Sequence, residues 1–298
     1  MSDVAAVVDD LREESDELDV LVGVLEPGRW ADRTPAEGWT VAHQIAHLAW
    51  TDEVALLAAT EPDRFGDEVA KALAAPESFV DEAAQALVDA HAPDALLARW
   101  RDGRQRLDKV LRDAPAGTRI PWYGPPMSVA SMATARLMET WAHGQDIADA
   151  LGATRAPTAR LRHVARIGVR ARNYAYAVRG ITAPETEFRV ELHAPDGELI
   201  AYGPEGATQR VTGPLLDFCL LVTQRAHRAD LAVTAEGREA DQWLSIAQAF
   251  AGPPGPGRLP RADQAGRADQ AGRADRADRA DRADQADQAD QDDQDDHR

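Results

Sequence analysis

The sequence predicts an α+β protein with two unlike halves: a four-helix bundle over residues 1–155 and a small α+β domain over 183–252. Three observations predict it. Four long stretches before residue 155 repeat apolar residues at helical spacing. After about residue 183 the chain alternates apolar and polar residues in short runs broken by turn signals. From about Arg261 to Asp296 it repeats Arg-Ala-Asp and Gln-Ala-Asp, a pattern that fits neither.

The first helical stretch, about 3–25, carries Val4, Val7, Val8, Leu11, Leu18 and Leu21 on one face. The second starts after Thr40 and runs to about 59. It is apolar around most of its circumference (Val41, Ile45, Leu48, Trp50, Val54, Leu56, Leu57), which predicts a buried helix. The third, about 93–113, carries Leu96, Leu97, Trp100, Leu107, Val110 and Leu111. The fourth, about 128–151, follows the breaker run Gly124-Pro125-Pro126, with Ser128 as N-cap and Gly152 as stop.

A connecting helix falls within 156–182. Residues 186–193 then alternate Phe188, Val190 and Leu192 with polar side chains, and Asp196-Gly197 leads into 198–202, a hairpin signal. Residues 209–212 read as a third strand, 215–225 as helix, 230–234 as strand and 241–250 as helix. Pro253-Pro254-Gly255-Pro256-Gly257 ends the folded part by this reading. The remainder of 253–298 is expected to be disordered. Residues 261–298 hold seven Arg against twelve Asp and offer only alanine as apolar surface, too little to offset ordering entropy. Removing 258–298 is therefore expected to leave melting and metal content unchanged.

Composition excludes several functions. At 44% hydrophobic residues the chain can bury a real core. A formal charge of −18 argues against nucleic acid and anionic membranes as partners. No apolar run of about eighteen residues occurs. The N-terminus lacks the basic-then-apolar pattern of a signal peptide. Cys219 is the only cysteine and sits in an apolar run, which predicts a core residue and a cytoplasmic protein without an internal disulfide.

Chemistry concentrates on two helices. Glu139 and His143 are four residues apart, one above the other on one helical face, and Asp146 continues the stripe. An exposed stripe with Arg136 as ion-pair partner would explain these residues equally well taken alone. The second helix shifts the balance, because His43 and His47 lie on a helix expected to be buried. Buried charges are paired or bind metals, and two ligands from one helix with one from another can hold a divalent ion with a position open. Spacing does not decide between His43 and His47.

Trp39-Thr40-Val41 leading to Ala46-His47-Leu48, with Glu139-x-x-x-His143-x-x-Asp146-Ile147-Ala148, resembles the mycothiol-dependent maleylpyruvate isomerase family, within the DinB-like metal-binding bundles. The run Trp122-Tyr123-Gly124-Pro125-Pro126-Met127-Ser128 is similar to an uncharacterised subgroup. The resemblance covers about 5–252. It implies a DinB-like bundle, a sterol-carrier-like second domain, and the ligand set His47, Glu139 and His143 for a divalent metal, zinc first, with nickel, iron and manganese open. It further implies mycothiol as cofactor, held by a basic residue of the second domain, for which Arg225 is the match and Arg228 its neighbour. Asp146 is the candidate second partner of His143 or proton acceptor.

The implied partners are a small electrophilic substrate and a low-molecular-weight thiol, with oligomeric state open. A thiolate that adds reversibly to a conjugated double bond lets it rotate before elimination, which is cis–trans isomerisation; the same groups suit thiol transfer. A metal-dependent hydrolase and a non-catalytic metal- or small-ligand-binding protein use the same three-ligand site and stand as alternatives.

Overall fold

The computed structural model describes residues 4–252, 254–255 and 257–263. Ten α-helices and six strands are named among them: α1 (Val4–Val22), α2 (Val41–Thr60), α3 (Pro62–Ala74), α4 (Phe79–Ala90), α5 (Pro93–Asp113), β1 (Arg119–Ile120), β2 (Met127–Ser128), α6 (Val129–Leu151), α7 (Leu161–Arg170), α8 (Arg172–Ala177), β3 (Phe188–His193), β4 (Leu199–Tyr202), β5 (Gln209–Pro214), α9 (Leu215–Val222), β6 (Thr234–Glu236) and α10 (Arg238–Ile246). No described helix is long and apolar enough to cross a membrane.

The four anticipated long helices close a bundle in which α2 packs on α5 and α6, and α1 on α6 and α5. As its all-round apolar pattern predicts, α2 is buried through Val41, Ile45, Leu48, Val54 and Leu56. Both predicted ends of α6 hold. Ser128 Oγ accepts from Ser131 N at 3.1 Å, and Gly152 takes the left-handed conformation at φ 66° that glycine adopts without a Cβ clash.

Helices α3 and α4 were not foreseen. Phe65 and Ala84 are their only buried residues, so each presents too thin an apolar face for periodicity to register. The connecting helix is two, breaking at Ala171. α7 packs against both α6 and α9, so it binds the halves together. A buried ion network reinforces the join: Glu14 on α1 accepts from Arg155 and, at 2.9 Å, from Arg160 Nε. Arg155 also donates to the Trp141 carbonyl at 2.9 Å, in space left by Gly144, where a Cβ would come within 3.1 Å of its guanidinium.

The second half holds a four-stranded sheet, ordered β4-β3-β5-β6. β3 pairs antiparallel with β4, as the Asp196-Gly197 turn predicts, and parallel with β5; β5 pairs antiparallel with β6. The strand expected at 230–234 is displaced: Arg228–Asp230 form a 3-10 turn and β6 begins at Thr234. The last helix begins at Arg238 and ends at Ile246 instead of spanning 241–250. Cys219 is fully buried, its thiol raised far above its ordinary range by burial, so it is a core residue.

The expectation for the tail needs correction where the chain is described. The folded part does not end at the Pro/Gly run, because Arg258 beyond it ion-pairs with Asp146 on α6 and the Arg261 backbone N–H donates to Asp230 Oδ2 at 3.0 Å. Truncation from 258 would therefore remove a buried contact. The repeats from 264 onward, and the disorder expected of them, lie outside the described residues.

Candidate metal centre

His47 on α2 and Glu139 and His143 on α6 converge, as the two motifs predict. One ligand atom from each lies within 4.8 Å of the others. His143 Nε2 is 3.2 Å from Glu139 Oε2, and His47 Nε2 is 3.4 Å from the same oxygen. The two imidazole centroids are 4.4 Å apart. His47 is 7% exposed and His143 9%, while the Glu139 side chain keeps 22% of its surface, so the cluster is open on the carboxylate side. An exposed polar stripe is thereby excluded. Arg136, its supposed ion-pair partner, instead pairs with Asp52 on α2 at 2.8 Å, inside the bundle.

The hydrogen-bond network fixes the tautomer of His143. Thr34 Oγ1 donates to the Trp39 carbonyl at 3.0 Å and accepts from Gln44 Nε2 at 2.9 Å. The Gln44 carbonyl oxygen therefore faces His143 Nδ1, 2.5 Å away, and that nitrogen must donate. The one proton of a neutral ring is then on Nδ1, and Nε2 turns a lone pair toward a Glu139 oxygen. Burial pushes His143 down to about 4, with the nearby His47 adding to the effect, so the ring is neutral at pH 7. Burial opposes the charge on Glu139, but the imidazoles packed against it outweigh that and hold the carboxyl well below its usual range. Two acceptors facing each other at 3.2 Å call for a cation between them. Two imidazoles and one carboxylate are a donor set suited to zinc and neighbouring divalent metals.

The low value for His143 contributes to the acid behaviour of the metal-free protein. An unfolded chain protonates this ring near 6.5, the folded one only near 4. Unfolding therefore takes up a proton in that window, and stability falls as pH drops from about 6.5 to about 4. Denaturant midpoints measured in chelator should show that loss, and His143→Gln should reduce it, the part due to His163 remaining. A wild-type profile flat across the window would contradict the burial of a neutral His143.

His43 is excluded from the cluster by its own bonds. Its Nδ1 accepts from the Thr40 backbone N–H at 3.3 Å, which leaves Nε2–H to donate to Gln85 Oε1 at 3.0 Å. It works as a cap at the start of α2. His43→Gln should accordingly cost about 1 kcal/mol of stability or less and keep the metal content of the wild type. Elemental analysis showing an emptied protein would move the third ligand to His43.

Aromatic rings wall the cluster. Trp39 stacks on His143 with centroids 5.8 Å apart and lies 5.4 Å from His47. Trp50, 5.9 Å from His47, continues through Phe79 to Tyr123, Phe65 and Trp122. The unforeseen helices supply much of this support. α4 contributes Phe79, Gln85 and Asp81, whose carboxylate accepts from Trp39 Nε1 at 2.9 Å; α3 contributes Phe65. Gln44 was also missed, although its place three residues before His47 on a buried helix was a signal that it meets the same site.

Asp146 is brought beside the cluster but not in the role anticipated. It is 0% exposed, and both its oxygens are taken by guanidiniums, Oδ2 by Arg225 at 2.8 Å and Oδ1 by Arg258. It neither accepts from His143, whose ring nitrogens face Gln44 and Glu139, nor offers a free oxygen for proton transfer. The expectation of a second partner for His143 or a catalytic base is corrected to an inter-domain anchor.

The placement of Arg225 has a local cause. α9 ends in a Schellman motif: Gln224 is left-handed at φ 59°, its N–H donates to the Leu221 carbonyl at 3.0 Å, and the Arg225 N–H to the Leu220 carbonyl at 2.8 Å. The reversal turns Arg225 toward α6, where Nε donates to the Ala142 carbonyl at 3.2 Å. Arg228 is not part of this arrangement; it pairs with Asp241 on α10 at 2.6 Å.

The family model described as mycothiol maleylpyruvate isomerase N-terminal domain matches residues 11–148, which contain all three converging side chains. The chain belongs to that family. Two uncharacterized proteins of Mycobacterium tuberculosis, from strains CDC 1551 / Oshkosh and ATCC 25618 / H37Rv, are each 55% identical over 258 residues, covering 87% of this chain and all of theirs. The crystal structure of the mycothiol-dependent maleylpyruvate isomerase shares the fold at a TM-score of 0.51 and 18% identity, over 80% of this chain and 95% of that one. A histidine-to-alanine mutant of it matches equally. Residues 184–236 also match a family model described as wyosine base formation, a stretch that covers the sheet of the second half.

A separate cleft of about 280 Å³ lies in the second half, lined by Arg170, Arg172, Phe188, Val190 and Trp243 among others. It includes none of the converging ligands and not Arg225.

Proposed function

We propose that this protein is a divalent-metal-dependent enzyme that uses a low-molecular-weight thiol of the mycothiol type to isomerise, or transfer the thiol to, a small electrophilic substrate. The observation that carries the reading is the pair of facing acceptors, His143 Nε2 and Glu139 Oε2, completed by His47 Nε2. These three residues would hold the ion. When bound, it would supply Lewis acidity and lower the pKa of a thiol at the open position.

The chain's own residues supply the rest. Gln44 fixes the His143 ring, as outer partners of metal-bound histidines do. Trp39 and Trp50 keep water from the histidine faces and offer an apolar wall to a substrate. Arg225 reaches the bundle from the second half, and the terminal N–H groups left over from its bonds to Asp146, Ala142 and Thr223 are the donors this reading offers a carboxylate-bearing thiol. Zinc is the ion this reading favours, and a thiol cofactor implies a reducing compartment, so the same reading has the protein in the cytoplasm.

Metal content and calorimetric titration of the metal-loaded protein with a low-molecular-weight thiol test it. Thiol binding by the wild type, weakened by roughly one to two orders of magnitude in Arg225→Ala with metal retained, supports the thiol enzyme. Metal without thiol binding moves the reading to a metal-dependent hydrolase.

A non-catalytic small-ligand carrier draws on a different observation, the second-half cleft, whose Arg172 guanidinium lies 4.2 Å over the Phe188 ring. Ligand uptake that survives removal of the metal would favour that reading.

A further inference from the structure

We propose that Arg258 is a positioning residue of the metal centre, which makes the segment 257–263, beyond the second domain, a working part of the site. The inference rests on the metal reading above. Arg258 joins the two sides of the centre from behind. One terminal nitrogen of its guanidinium donates to Asp146 Oδ1 on α6, and the other to the Pro35 carbonyl in the loop that precedes α2.

These two contacts close a ring. Pro35 follows Thr34, whose hydroxyl accepts from Gln44 Nε2. The Gln44 carbonyl accepts from His143 Nδ1. His143 and Asp146 are one helical turn apart on α6, and Asp146 returns to Arg258. The loop on the ring also carries Trp39, which stacks on His143. Two facts make Arg258 the member that others cannot replace. Asp146 is fully buried, so an oxygen deprived of its donor has no water to turn to. Arg225 cannot cover both oxygens, because its Nε and Nη1 are spent on the carbonyls of Ala142 and Thr223. Without Arg258 the ring opens, the loop and the α6 turn stay joined only through Gln44 and the Trp39 stack, and the frame that holds Gln44 against the His143 ring loosens. A lysine at this position would keep the charge but, as a single point donor, could not fork to both partners as the planar guanidinium does.

The test uses the full chain loaded with Co²⁺, whose visible absorption reports ligand geometry. The release rate to an excess of chelator is measured alongside. Arg258→Ala should shift the cobalt bands and speed release roughly tenfold or more. Arg258→Lys should fall between it and the wild type. Arg261→Ala, which removes a neighbouring positive charge of the same segment, should change neither, so a general charge effect is distinguished from positioning. Unchanged bands and release in Arg258→Ala, or an equal effect of Arg261→Ala, would overturn the proposal while leaving the metal reading intact. If Arg258→Ala does not fold, the Arg258→Lys and Arg261→Ala comparison decides. Failure of the wild type to take up cobalt would instead overturn the metal reading, and this inference with it.

Discussion

His143→Ala should empty the metal centre. Protein purified without chelator should carry about one divalent ion per chain, and the variant only a small fraction of that. The loss is large because His143 is held on both sides: Gln44 fixes Nδ1 and Glu139 faces Nε2, so no neighbouring group can take its place. Removing merely an outer partner of a metal-bound histidine typically costs about 10–100-fold in affinity, and loss of the ligand itself should exceed that. His47→Ala should behave alike. Elemental analysis finding full metal in both variants would contradict the assignment of these residues.

Asp146→Ala should be among the most destabilising single changes outside the apolar core. It leaves the Arg225 and Arg258 guanidiniums, each about 15% exposed, without their shared carboxylate. Removing one partner from a buried ion pair costs about 3–5 kcal/mol, which for a chain of this size lowers Tm by roughly 6–20 °C. Asp146→Asn should cost less, since its carbonyl still accepts one hydrogen bond. The outcome also separates two roles. A catalytic base replaced by alanine would lose turnover with melting unchanged, and an unchanged Tm in Asp146→Ala would refute the anchor described here.

The bundle and the Glu139–His143 pair were legible in the sequence because helical spacing determines which side chains share a face, whereas His47 was singled out by the family resemblance. Glu139 and His143 had to lie together on α6, and the apolar circumference of α2 had to bury its histidines. What spacing could not show was which histidine turns inward. That depends on a cap at Thr40 and a partner, Gln85, on a helix that periodicity did not reveal. α3 and α4 escaped notice because each buries a single residue, yet they carry Phe65, Phe79 and Asp81 to the site. Asp146 shows the opposite limit. Its stripe was read correctly, but its partners come from residues 79 and 112 positions away, and only the tertiary fold brings them together. The same holds for Arg258, hidden in a segment whose composition argued for disorder.

His47, Glu139 and His143 are together expected to hold one divalent metal. X-ray absorption spectroscopy on protein purified without chelator tests this assignment directly. A stoichiometric metal is expected, with two imidazole nitrogens at about 2.0–2.1 Å and carboxylate oxygen at about 2.0–2.2 Å, the metal signal itself falling away in His47→Ala. A metal-free protein, or a bound ion whose shell lacks imidazole, would contradict it.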